Sequence, residues 1–157
     1  MATYRHEHQG QAALAAGASR VLKDDQIPEL KADAFPAPPA EPFDVVIETI
    51  GGSAPTLGQA LGAVRPGGRI SVLGLFTQPP TINALALMLR EVQIAGGITY
   101  CRPSQHSDFD VALRILQSDP ERARAVITHR FPLEEAAEAF ARAADKTSGS
   151  LKVQVRM

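Results

Sequence analysis

The chain has 157 residues, 45% of them hydrophobic and 21% charged, enough for one globular domain with a sizeable core or for part of something larger. Its formal net charge of −1 gives no electrostatic reason to expect nucleic acid or a membrane surface as a partner. A single cysteine, Cys101, excludes an intrachain disulfide framework. No apolar run reaches the ~20 residues of a membrane span, and residues 1–11 lack a signal peptide's apolar stretch, so a cytoplasmic protein is expected.

In chain order, residues 1–4 read as the tail of a strand. Residues 6–16, HEHQGQAALAA, read as a helix stopped by Gly17, and residues 20–22 as a brief strand. Residues 24–42 carry Pro28, Pro36, Pro38, Pro39 and Pro42 and read as a surface connection, with a short helix around 29–34 left open. The organising stretch is residues 43–76. Phe43, Asp44, Val45, Val46 and Ile47 suit a strand buried on both faces, ended by Gly51 and Gly52. Ser53 is a candidate cap for the next helix, with Pro55 in its first turn and Leu57, Ala60, Leu61 and Val64 as its apolar stripe. Arg65, Pro66, Gly67 and Gly68 should stop that helix, and residues 70–75 form a second apolar strand closed by Gly74. Strand, helix and strand in this order make a right-handed βαβ unit of a parallel sheet.

Beyond it, residues 81–90 predict a short helix, in which Leu85, Leu87, Met88 and Leu89 are too apolar for a one-sided surface helix. Residues 92–94 predict a strand ending at Gly96 and Gly97. Ser107 or Asp108 can cap a helix carrying Phe109, Ala112, Leu113 and Leu116 on one face. Val126 and Ile127 form a short apolar pair before the polar Thr128, His129 and Arg130. Pro132 opens a last helix whose buried stripe would be Leu133, Ala136, Ala137 and Phe140. Ser148 and Gly149 turn the chain, and Leu151, Val153 and Val155 alternate with polar residues as in a half-buried strand. The expected fold is α/β with a doubly wound parallel sheet.

In such a sheet, ligands sit beyond the carboxyl ends of the strands. Glycines stand at three of those ends: Gly51 with Gly52, Gly74, and Gly96 with Gly97. They suit either close backbone approach to a ligand or ordinary turns. Of the acidic residues there, only Glu48 is placed to meet a ligand. His6 and His8 are two apart, so on a helix they point about 200° apart and would not share a metal. Cys101 alone is not a zinc site. Ser104, His106 and Asp108 are sequence neighbours and do not make a catalytic triad without special geometry. His129 reads as structural or at a substrate edge. No catalytic residue and no metal ligand is assigned.

Two families share a strand like FDVVI followed by a helix and RPGGRISVL: nicotinamide-dependent dehydrogenases and S-adenosylmethionine-dependent methyltransferases. FDVVIETIGG (43–52), ALGAVRPGGRISVLGLF (60–76), VQIAGGITY (92–100) and ITHRFPLEEAAEAFARAADKTSGSLKVQV (127–155) resemble the medium-chain, zinc-type alcohol-dehydrogenase-like superfamily, and the last segment is the most specific. The likeness covers essentially the whole chain. It implies a Rossmann-type dinucleotide-binding domain lacking its first strand and its GxGxxG motif (residues 1–127), followed by the terminal segment of the catalytic domain (residues 128–157). It further implies the second half of an NAD(P)-dependent oxidoreductase that moves a hydride between nicotinamide and a small alcohol or carbonyl substrate. This half is expected to be truncated and inactive alone, with any zinc in the missing amino-terminal half.

By the same resemblance the cofactor contacts are Thr49, Ile50 and Gly51 after one strand, Leu73, Gly74, Leu75 and Phe76 after the next, and Gly96, Gly97 and Ile98 after the third. Lys152 is placed for the cofactor phosphates. Relatives that prefer NAD carry an acidic residue at the position of Tyr4. Here Tyr4 is followed by Arg5, which can pair with a ribose phosphate, so NADP is expected over NAD. A homodimer is suggested by relatives that pair their last sheet strands. The loss of a central strand predicts a sheet in which residues 2–4 slide toward residues 43–47, or completion by a separate polypeptide, or else reflects a truncated gene model. The alternative functions are a non-enzymatic nucleotide-binding or assembly remnant and, behind it, a methyltransferase fragment.

Overall fold

The computed structural model describes residues 1–27, 41–98 and 105–157. In chain order the elements are β1 (Ala2–Tyr4), α1 (Glu7–Ala15), β2 (Val21–Lys23), β3 (Phe43–Glu48), α2 (Thr56–Ala63), β4 (Val64–Val72), α3 (Ala84–Leu89), β5 (Gln93–Gly96), α4 (Asp108–Ser118), α5 (Pro120–Ala125), β6 (Ile127–Pro132), α6 (Ala136–Ala144) and β7 (Lys152–Arg156). Every strand pair is parallel, with sheet orders β1-β2, β3-β4-β5 and β6-β7. The α/β class expected from the sequence is therefore the observed one. The chain forms two compact units, Met1–Ile27 with His106–Met157, and Pro28–Gln105.

The Pro28–Gln105 unit holds the main core. Leu57, Ala60 and Leu61 of α2, Val64 and Ile70 of β4, Ala86 of α3 and Val92 form one buried cluster, with Val46, Val72, Phe76, Ile82 and Leu87 packed on it. The spacing of Leu57, Ala60, Leu61 and Val64 puts them on one side of a helix, and burying that side is what holds α2 on the sheet. Arg90 closes the far end of α2. Its buried guanidinium donates to the carbonyls of Leu61, at 2.8 Å, and Val64, while Gly67 N–H donates to the Arg90 carbonyl at 2.7 Å. Carbonyls at a helix end lack intrahelical donors, and Arg90 supplies them.

Several expectations give way here. The 65–68 segment does not separate helix from strand. It bulges out within β4, where Phe43 pairs with Val64 but Val45 already pairs with Arg69. Gly67 adopts a φ of +68°, and a side chain at Gly68 would collide with Val64 and with the Arg65 and Asp44 carbonyls, so glycine allows the bulge. The β3 strand is covered on one face only, because α2 packs beneath Val46, leaving Val45 and Ile47 exposed. Helix α2 begins at Thr56 with Pro55 as its cap residue, not Ser53. Helix α3 is shorter than residues 81–90 and one-sided after all: Ala86 is buried while Leu85, Met88 and Leu89 are exposed. The short helix around 29–34 lies outside the described residues.

In the other unit, β1 pairs with β2 in the register Ala2↔Val21. Val126 and Ile127 do not end as an apolar pair, because residues 127–132 form the whole of β6 against β7. Ser107 caps α4 as expected, exchanging hydrogen bonds with Asp110. The stripe expected on the last helix is displaced: Ala139 is buried, whereas Leu133 and Phe140 are exposed. The small alanine faces the narrow β6-β7 sheet, where α6 can approach closely.

Candidate functional site

The carboxyl ends of β3, β4 and β5 lie side by side in one parallel sheet, the place where such sheets bind ligands. The loop after β3 is built around Glu48, whose side chain is only 4% exposed. Its Oε1 accepts from Ile50 N–H (2.9 Å), Gly51 N–H (2.9 Å) and the Thr56 hydroxyl (2.7 Å). Its Oε2 is buried against Gly74 with no hydrogen bond of its own. Burial pushes this carboxyl upward, but the Gly51 N–H, the Thr56 hydroxyl and the Ile50 N–H more than offset it and hold it below the usual carboxylate range.

Two further bonds tie this loop to the one after β4. Gly52 N–H donates to the Leu75 carbonyl at 2.8 Å, and Thr77 N–H donates to the Gly52 carbonyl at 3.1 Å. Gly51 and Gly52 both have φ of +64°, and a Cβ on Gly51 would fall 2.5 Å from the backbone of Leu75. The result is a ledge of two joined loops.

The expected contact residues divide into two groups on this ledge. Thr49, Ile50, Leu73, Leu75, Gly96, Gly97 and Ile98 are exposed, Leu75 at 75%. Gly51 is buried, Gly74 is half-buried against Glu48, and the half-buried Phe76 packs on the core. Gly51 and Gly74 are thus needed for backbone-to-backbone and backbone-to-carboxylate packing. Glu48, expected to face a ligand, is instead engaged by its own loop. Sequence reasoning missed its partner Thr56. The available signal was a glutamate three residues before Gly51, close enough to accept from the turn's own N–H groups.

The remaining expected residues belong to the other unit. The Tyr4 ring lies over Gly10 and its hydroxyl donates to Glu7 at 3.3 Å. Arg5 Nε donates to Asp24 at 2.7 Å, and this bond is the main reason the Asp24 carboxyl sits below its usual range. Lys152 is exposed at the start of β7. An open hollow of about 680 Å³ is lined by Arg5, His6, His8, Lys23, Thr147 and Ser148, among others. His6 and His8, expected to diverge, are stacked with ring centroids 5.7 Å apart. His6 is the extended cap residue of α1, so the helical rotation does not apply to it. Face-to-face rings do not aim two nitrogens at one metal. Cys101 and Ser104 lie outside the described residues.

Residues 1–118 match the zinc-binding dehydrogenase family. The chain belongs to that family. It is 36% identical to human sorbitol dehydrogenase over 97 residues, which cover 62% of this chain and 26% of that protein. Two solved structures share the fold. The alcohol dehydrogenase rspB from E. coli CFT073, complexed with NADH, is 20% identical with a TM-score of 0.76, over 99% of this chain and 43% of that one. The oxidoreductase yhdH from Salmonella enterica, in complex with NADP, is 21% identical with a TM-score of 0.69, over 99% and 46%. The chain therefore spans about a quarter of the length of the curated relative and less than half of each solved structure.

The family name implies zinc, and the donor set does not fit it. Among the described residues no three His, Cys, Asp or Glu side chains gather where they would hold a metal ion. Among the same residues, no helix is long and apolar enough to cross a membrane.

Proposed function

We propose that this chain contributes the nicotinamide-binding part of an alcohol-dehydrogenase-like oxidoreductase acting on a small alcohol or carbonyl substrate. The observation that carries the reading is the ledge at the carboxyl edge of β3-β4-β5, which presents Ile50, Leu73, Leu75 and Ile98 as exposed apolar side chains. A flat, weakly polar ring such as nicotinamide suits an apolar ledge of this kind. The nicotinamide supplies the hydride chemistry when bound, and this chain's residues bind and orient it. Thr49, Ile50, Leu73, Leu75, Gly96, Gly97 and Ile98 are proposed to touch the cofactor. Gly51, Gly74 and Phe76 shape the ledge beneath it.

We assign residues 1–127 to the dinucleotide-binding domain and residues 128–157 to the end of the catalytic domain, in a cytoplasmic protein that pairs as a homodimer. Lys152 is proposed as a phosphate contact. Arg5 is proposed to select NADP over NAD, because its guanidinium, bonded at Nε to Asp24, is a group that can pair with a ribose phosphate. No catalytic residue is assigned, and turnover by this chain alone is not expected.

Fluorescence titration with NADPH and NADH tests the reading. Saturable binding of both is expected, tighter for NADPH, and Arg5→Ala should remove the preference while leaving NADH unaffected. Absence of binding to either at millimolar concentration would overturn it. Binding of S-adenosylmethionine in place of the nicotinamide nucleotides would point to methyl transfer.

A further inference from the structure

We propose that Glu48 is a positioning residue for the cofactor ledge, acting through the loop it grips and not by touching the cofactor. The inference rests on the nicotinamide-binding reading above. Its starting point is that Gly51 and Gly52 are consecutive glycines, both with φ of +64°. Such a pair has more backbone freedom than any other dipeptide, and by itself would leave the preceding Ile50 without a defined place. The Glu48 carboxylate removes that freedom. One oxygen takes the N–H groups of Ile50 and Gly51 on the loop and the Thr56 hydroxyl in the first turn of α2, so strand, loop and helix meet at a single buried atom.

The grip extends to the neighbouring loop. With Gly51 fixed, Gly52 is set to bond to the Leu75 carbonyl and to receive Thr77 N–H, in a parallel bridge between Gly52 and Phe76. Oε2 meanwhile lies against Gly74, where any side chain would collide with it. Ile50 on one loop and Leu73 and Leu75 on the other therefore project from one framework whose anchor is the carboxylate. A cofactor ring resting on those side chains would meet a surface already in place, and preorganisation of this kind contributes affinity by avoiding the entropy of ordering the loop on binding.

The test uses the full chain and two substitutions. Thr56→Val removes one donor while keeping the side chain's shape. Glu48→Gln keeps the shape and removes the charge, leaving an amide NH2 against Gly74 without an acceptor. Amide exchange is followed by NMR at Ile50, Gly51, Gly52 and Thr77, alongside the thermal midpoint and the dissociation constants for NADPH and NADH. For Thr56→Val the expected result is faster exchange at those four amides and about tenfold weaker binding of both nucleotides, as for loss of one charge-assisted hydrogen bond, with exchange of the β4 strand amides unchanged. Glu48→Gln should move the same quantities further. If Thr56→Val loosens the four amides and leaves both dissociation constants unchanged, the positioning role fails while the cofactor reading stands. If the unsubstituted chain binds neither nucleotide, both fail.

Discussion

Leu61 and Phe140 each sit in an apolar stripe of an amphipathic helix, yet Leu61 is 0% exposed and Phe140 is 76% exposed. The difference lies in what each unit offers its helices. In the Pro28–Gln105 unit a three-stranded sheet receives α2 and α3, and β4 at its centre contributes Val64 and Ile70 to the core they share. In the other unit the sheets have two strands, and β1 and β2 are three residues long. Phe109, Leu113 and Leu116 of α4 stay exposed there, as does Phe140 of α6, which rests on the two-stranded β6-β7 sheet. Amphipathic helices occur in both units; an adequate sheet beneath them occurs in one.

The sharpest way to break this contrast is Leu61→Ala. It empties space at the centre of the only multi-residue buried cluster among the described residues, and should cost about 2–5 kcal/mol by chemical denaturation. Residue-resolved hydrogen exchange should place the loss in β3, β4 and β5. Equal loss of protection in α6 would mean that the two units share one stability. Arg90→Met should follow, at about 1–3 kcal/mol, because it leaves the Leu61 and Val64 carbonyls buried without their donor. If that substitution proves neutral, the cap adds nothing to the core's stability.

Acid tests the Glu48 loop next. The folded Glu48 carboxyl titrates below its ordinary value of 4.5, so the folded state favours its charged form. Its contribution is fully present above that value and is lost as pH falls through it toward the lower folded value. The Pro28–Gln105 unit should lose stability below pH 4.5, and Glu48→Gln should flatten that dependence. The comparison is denaturation midpoints of the two proteins from pH 3 to pH 7. Equal slopes would show that other carboxylates dominate.

What could be read from the sequence follows the same division. The βαβ unit at 43–76 was legible because two short β-branched, apolar runs flank a stripe at helical spacing, and the strand-end glycines located the ledge. The grip of Glu48 on Thr56 was not legible, since eight residues separate them and only the fold brings them together. The 65–68 bulge was hidden for the opposite reason: Pro-Gly-Gly is as good a helix stop as it is a bulge, and pairing with β3 decided between them. The face of α6 was misread because a stripe is defined by apolar character, and a narrow sheet selects for small size, which put Ala139 inward instead of Phe140. The stacking of His6 and His8 escaped because the helix starts one residue after His6.

The smallest effect is expected where the sequence looked most hydrophobic. Leu113→Ser on α4 and Phe140→Ser on α6 replace side chains that are mostly in water, and away from buried features surface changes stay within about 0.5 kcal/mol. Denaturation midpoints should barely move for either, in contrast to Leu61→Ala, and solubility should rise because the apolar patch shrinks. The measurement has a second use. Should Leu113→Ser destabilise by as much as Leu61→Ala, the α4 face would have to be covered in solution, and sedimentation at increasing concentration would show whether a second copy of the chain covers it. A midpoint that moves with protein concentration in the unsubstituted chain but not in Leu113→Ser would locate that contact on α4.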